Sequence, residues 1–114
     1  MWPYWWEPYV AVFGQGARAL MNATGASYSS YVRTAAHNAE VGGAPTSQHL
    51  IGTAIDLVPG RGSSNRTIAA QARAMGFGYV LDEGDHVHVQ LFPAGVIPQW
   101  VYDSLVGAAA PRAV

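Results

Sequence analysis

The sequence has 114 residues, a length that suits one domain, and half of the residues are hydrophobic. We therefore expect a single packed domain over residues 1–114 and no extensive disorder. The formal net charge is −1, without the basic excess of a nucleic-acid-binding protein, and the lack of cysteine excludes disulfides and Cys-ligated metal sites.

The first half of the chain predicts one helix and two strands. The aromatic opening WPYWWEPY, residues 2–9, is interpreted either as a cap packed over the core or as a surface that binds a partner. The first of the two strands, SYSSYVRT, is predicted to end at Arg33. The predicted elements are, in order, a helix at 8–23, a strand at 27–34, a loop or short helix at 37–48 and a strand at 52–59.

The second half predicts a helix, a hairpin and a terminal helix. Ser64 is a suitable N-cap for the helix, and Gly76 is expected to end it. The predicted elements are a helix at 64–78, hairpin strands at 78–81 and 86–92 joined by the turn DEGD, and a short helix or tail at 97–110. This order favours an α+β fold with a small antiparallel sheet and flanking helices.

Three residues in two separate segments have the chemistry of a metal site. SQHLIGTAIDL holds His49 and Asp56, and HVHVQLF holds His88. When no thiolate is available, zinc prefers imidazole nitrogen and carboxylate oxygen, and a catalytic site uses three protein ligands and one water. Asp56 lies in a strand with buried character, so its carboxylate needs a cation or hydrogen-bond donors. If the two strands pair, His88 can reach Asp56 across the sheet.

A hydrolytic zinc site also needs a proton acceptor and positive charge beside the carbonyl oxygen of the substrate. His86 shares a strand face with His88, whereas Asp85 points away in a regular strand and can serve only if the turn or a bulge redirects it. Arg33 is the best placed of the six arginines, with a surface position at the strand end as the alternative interpretation. The other acids of the turn are alternative bases that also suit a solvated turn: Asp82 and Glu83.

Together these segments resemble the zinc peptidoglycan peptidases of the D-Ala-D-Ala carboxypeptidase type, a group that includes L-alanyl-D-glutamate endopeptidases of phage endolysins. Their pattern is S-x-H-x-x-G-x-A-x-D, then an acid and, three residues on, a histidine, with an arginine upstream. The first element is matched by Ser47, His49, Gly52, Ala54 and Asp56. Asp85 and His88 match the second element, Arg33 matches the upstream arginine, and the resemblance covers residues 27–92.

The resemblance implies a hedgehog/D-Ala-D-Ala-peptidase-like fold and a Zn²⁺-dependent peptidase that hydrolyses stem peptides of bacterial peptidoglycan. The implied roles are zinc ligation by His49, Asp56 and His88, general base catalysis by Asp85, and oxyanion stabilisation or substrate binding by Arg33. A His-x-His element also occurs in the related murein endopeptidases, so His86 is either an auxiliary catalytic residue or a group that supports one. An endopeptidase is favoured over a carboxypeptidase because a small bare domain suits cell lysis. The alternative is a non-catalytic, zinc-containing module that binds the wall or belongs to a phage structure.

The N-terminus lacks the basic region and cleavage site of a signal peptide, and no apolar run reaches the roughly 20 residues that span a bilayer. We therefore expect no membrane interaction. We also expect a monomer. To act on the bacterial cell wall, the protein would be delivered by a phage, released through a holin or carried as part of a larger protein.

Overall fold

The structure is a computed structural model that describes residues 2–109. Its helices are α1 (Glu7–Thr24), α2 (Ala35–Glu40), α3 (Asn65–Ala74) and α4 (Gln99–Ala109), with a 3₁₀ helix at Gln48–Ile51. Its strands are β1 (Ser27–Ser30), β2 (Ala54–Val58), β3 (Tyr79–Asp82) and β4 (Val87–Gln90). The predicted α+β class, with a small antiparallel sheet and flanking helices, is confirmed. None of the described helices is long and apolar enough to cross a membrane.

The four strands form one antiparallel sheet in the order β1-β2-β4-β3. The central pair is β2 and β4, and their register places Asp56 opposite His88. The predicted pairing of these two segments is therefore confirmed. Strand β1 is shorter than predicted: it ends at Ser30, and its pairing with β2 shifts register between Tyr28 and Ser30.

The two faces of the sheet differ in chemistry, as the two-residue period of a strand dictates. One face is apolar and packs against α1 and α3 in the main core. Its strand residues, all fully buried, are Ile55, Leu57, Val87 and Val89. The intervening positions on β2 and β4 belong to the other face, which carries Asp56, His88 and Gln90. The polar residues of the central strands β2 and β4 are thus collected on the side that the main helices leave open.

Helix α1 runs without interruption through Gly14 and Gly16, although glycine has a low helix propensity. At Gly16 a Cβ atom would lie 3.1 Å from Cζ of Phe77, so the missing side chain lets this ring approach the helix. The helix ends at Gly25, whose φ of 72° is left-handed and whose N–H donates to the Met21 carbonyl. Close packing of the helix therefore outweighs the low helix propensity of glycine here.

A second, smaller core lies between the N-terminus, the 3₁₀ helix and α4. Trp6 is buried in it with Leu50, Ile51 and Leu105, and its indole Nε1 donates to the Ile51 carbonyl at 2.7 Å. The aromatic N-terminus thus packs over a core at Trp6, as one of its two interpretations predicts. Tyr4 and Trp5 of this segment stay exposed, as does Trp100 of α4.

Candidate metal centre

The centre begins with two residues that face each other across the middle of the sheet. Asp56 of β2 and His88 of β4 are in register, and the Nδ1 atom of His88 lies 3.0 Å from Oδ1 of Asp56. Asp56 is almost fully buried, as are its apolar strand neighbours Ile55 and Leu57. The cross-strand pairing predicted for these two residues is present.

His49 reaches the same carboxylate oxygen from the 3₁₀ helix. Ser47 caps this helix by accepting a hydrogen bond from the His49 N–H, and Gly52, with φ of 77°, ends it. This short turn aims the His49 ring inward, so that its Nε2 atom lies 3.2 Å from Oδ1 of Asp56. Three groups from two strands and one turn therefore converge on one point.

The hydrogen bonds around the two imidazoles fix which ring nitrogen carries the proton. His49 places Nδ1 2.7 Å from the Tyr31 carbonyl, which can only accept, so Nδ1 holds the proton. His88 places Nε2 2.7 Å from Oε1 of Gln90, and the Gln90 amide is itself oriented because its NH₂ donates to the Phe92 carbonyl. Lone pairs on His49 Nε2 and His88 Nδ1 therefore face the Asp56 carboxylate.

Three electron-pair donors that face one another repel unless positive charge lies between them. Burial raises the pKa of Asp56, but the two imidazoles beside it outweigh burial and hold this pKa well below its ordinary value, so the carboxylate stays ionised. Burial lowers the pKa of His88, but the Asp56 carboxylate and the Gln90 side chain outweigh burial and raise this pKa. Without a metal, a proton held between imidazole and carboxylate supplies the positive charge. A metal ion at the same point would replace that proton, and the two nitrogens and one oxygen suit zinc.

Arg33 lies beside the same carboxylate, although it is not on a strand. Its backbone N–H donates to the His49 carbonyl, and its guanidinium Nη2 lies 2.8 Å from Oδ2 of Asp56. Its Nε donates to Ser30 Oγ, which holds the side chain in place. The two oxygens of Asp56 are thus divided, with Oδ1 facing the histidines and Oδ2 facing Arg33.

The turn between β3 and β4 adds further ionisable groups. His86 Nε2 lies 3.8 Å from Oδ1 of Asp56 and 3.5 Å from Oε1 of Glu83, while its Nδ1 lies 2.6 Å from Oδ1 of Asp85. The Asp85 side chain is 88% exposed and contacts the centre only through His86. Asp82 is turned away and accepts hydrogen bonds from Asn65 and from the Gly84 N–H.

A cavity of about 610 Å³ lies on the open face of the sheet. The acidic, basic and histidine residues of its lining are Arg33, His49, Asp56, Glu83, His86 and His88. Five of the six predicted site residues line it, and Asp85 does not. The sequence left Glu83 either as an alternative base or as a solvated turn residue. The backbone hydrogen bond from the Glu83 N–H to the His86 carbonyl closes the turn and brings both side chains to the cavity.

Comparison with known proteins gave one match. A family model described as peptidase M15 matches residues 16–90. The chain belongs to the peptidase M15 family. Searches of the curated proteins and of the solved structures gave no match. M15 peptidases depend on zinc, so the chain is a zinc metallopeptidase.

The ligand chemistry of the centre agrees with membership of the M15 family. His49, Asp56 and His88 could hold a metal ion, and a set of three leaves a fourth position of tetrahedral zinc for water. Tyr31 and Gln90, which sequence reasoning did not identify, orient the two imidazoles. No motif marks these two residues, since one acts through its backbone carbonyl and the other is a single strand glutamine.

Proposed function

We propose that this zinc metallopeptidase hydrolyses peptide bonds in the stem peptides of bacterial peptidoglycan, as an endopeptidase in preference to a D-Ala-D-Ala carboxypeptidase. The observation that carries the proposal is the open cavity with the candidate triad, an arginine and a proton-transfer group in its walls. Family membership favours this function over a non-catalytic wall-binding module. Its place of action would be the bacterial wall, reached through phage delivery, a holin or a larger carrier protein.

The proposed zinc ligands are His49, Asp56 and His88. Zinc bound there would supply a water with a pKa of about 7 and would polarise the scissile carbonyl. Arg33 holds Oδ2 of Asp56, which leaves Oδ1 directed at the histidines. Its guanidinium also places a permanent positive charge in the cavity wall, where it stabilises the oxyanion that develops on the substrate.

Proton transfer is assigned to the turn between β3 and β4. The Asp85 carboxylate accepts the Nδ1 proton of His86, so the lone pair of His86 Nε2 faces the cavity and the metal ligands. His86 is then placed to accept a proton from water and to donate it to the leaving amine. The sequence prediction that Asp85 is itself the base becomes, in this geometry, a role exerted through His86. Glu83 lies beside Nε2 and stabilises the imidazolium that forms.

The function is tested with purified peptidoglycan of several wall chemotypes, incubated with the protein with and without a chelator. Mass spectrometry should find released peptides whose new amino termini disappear with chelator and return with zinc. The position of those termini separates an endopeptidase from a carboxypeptidase, which releases only a terminal residue. No product from any chemotype, with folded and zinc-loaded protein, would refute the peptidoglycan assignment.

The roles within the turn are tested with two matched variants. Asp85→Asn keeps a side chain that can accept from His86 but removes the charge, and should lower kcat about 10- to 100-fold. His86→Ala should lower kcat by about 10²- to 10⁴-fold, the usual contribution of a general base. If Asp85→Asn lowered kcat further than His86→Ala did, Asp85 would act as the base directly. Metal content, measured on both variants, should remain that of the wild type.

A further inference from the structure

A second hollow lies next to the metal cavity and is not used by the proposed chemistry. Its volume is about 520 Å³, and it lies between α2, the loop that follows α2, the 3₁₀ helix and α4. Gly43 and Tyr102 line both this hollow and the metal cavity, so the two lie next to each other at these residues. The hollow is therefore within reach of a peptide that lies in the metal cavity.

The junction between the two cavities is held in a fixed shape. The Gly43 N–H donates to the Asn38 carbonyl, and the Asn38 side chain donates to the Ala44 carbonyl. A Cβ atom at Gly43 would overlap the Asn38 side chain, so only glycine allows this close approach. The same Asn38 side chain accepts from Nη1 of Arg33 at 3.4 Å. The wall of the hollow is thus tied to the arginine of the metal cavity.

The lining of the hollow combines aliphatic walls with one carboxylate. The aliphatic members are Ala35, Ala39, Pro45, Leu50 and Val106. Asp103 is the charged residue among the described residues that line it, and its Oδ1 accepts from Nε2 of Gln99 at 3.1 Å. Apolar walls bind methylene groups, and a carboxylate at the rim binds a cation that remains partly hydrated. The complementary ligand is a flexible aliphatic chain that ends in an ammonium group.

We propose that this hollow is a substrate subsite for a residue with a long aliphatic side chain and a terminal amine, such as lysine or another diamino acid, with Asp103 as its specificity determinant. The inference rests on the proposed function, since it assumes a peptide substrate in the metal cavity. Because Asp103 is exposed, its ion pair with the substrate should be worth about fivefold in affinity, at the upper end of surface ion pairs. The effect should appear in KM and not in kcat.

The test uses two stem peptides that are identical except that lysine in one is norleucine in the other, which keeps the methylene chain and removes the charge. The wild-type protein should show a KM about fivefold lower for the lysine peptide. D103N should lose this preference, whereas E7Q, which removes an exposed carboxylate outside both cavities, should keep it. Equal KM values in the wild type, or a preference that survives in D103N, would overturn the inference.

Binding without turnover separates this inference from the proposed function. The dissociation constants of both peptides are measured by calorimetry on the His86→Ala variant, which still contains the hollow. A fivefold difference that D103N removes supports the subsite even where peptidoglycan is not cleaved. Equal dissociation constants refute it, whatever the activity of the wild-type protein.

Discussion

Replacing Gln90 with leucine tests whether the hydrogen bonds behind the histidines prepare the metal centre. In the native chain, Oε1 of Gln90 accepts from Nε2 of His88 at 2.7 Å, which leaves Nδ1 free to face Asp56. Leucine is similar in size but has no acceptor. His88 would then hold its proton on either nitrogen, and its ring would be free to rotate away from the carboxylate.

The expected cost is a loss of zinc affinity with little loss of folding stability. Removing such a supporting hydrogen bond weakens metal binding about 10- to 100-fold, which is about 1.4–2.7 kcal/mol. The Phe92 carbonyl, which also accepts from Gln90, keeps a second donor in Gln48 at 2.8 Å. No buried carbonyl is therefore left without a partner, and the midpoint of thermal unfolding of the metal-free variant should change little.

Competition against a fluorescent zinc chelator measures the affinity directly. The matched comparison is Gln90→Glu, whose carboxylate still accepts from His88 but can no longer donate to the Phe92 carbonyl. It should bind zinc more tightly than Gln90→Leu. If Gln90→Leu binds zinc within twofold of the wild type, the orientation of His88 does not depend on Gln90 and the argument from fixed ring protons fails.

Two further predictions concern stability. Removing the metal with a chelator should lower the temperature midpoint of unfolding, measured by calorimetry, by about 10 °C. Free zinc at 100 times its dissociation constant stabilises the folded state by about 2.7 kcal/mol. An unchanged midpoint would show that the folded state does not bind the metal more tightly than the unfolded state does. Trp6→Phe should cost about 1–3 kcal/mol in chemical denaturation, because it leaves the buried Ile51 carbonyl without its 2.7 Å donor. The exposed Trp5→Phe is the control and should cost much less; equal losses would contradict this account.

The faces of the sheet could be predicted from the sequence because strands have a fixed two-residue period. That rule correctly put Asp56 and His88 on a shared face and the aliphatic residues between them on the other. It also put His86 on the side of His88, as the structure has it. The side of the sheet on which each strand residue lies can thus be predicted from its position in the sequence, and so can the candidate metal ligands on these strands.

The rest of the site depends on parts of the chain that have no period. Arg33 was expected at a strand end, but β1 already ends at Ser30, and the segment that follows places the Arg33 guanidinium beside Asp56. In the turn, backbone closure between Glu83 and His86 decides that Glu83 enters the cavity and that Asp85 stays exposed. Turn conformation of this kind arises from hydrogen bonds across the whole hairpin, which residue spacing does not specify.

The two histidines offer different ring atoms to the shared carboxylate, Nε2 from His49 and Nδ1 from His88. The atom that faces Asp56 is therefore farther from the backbone in His49 than in His88. An asparagine oxygen extends about as far from the backbone as Nδ1, and a glutamine oxygen about as far as Nε2. The short side chain of His88→Asn should therefore preserve a weak ligand, whereas that of His49→Asn should be too short to reach the metal. At position 49 the longer His49→Gln should bind metal better than His49→Asn. The two histidine positions thus require side chains of different length, and they are not interchangeable in a redesign of the centre.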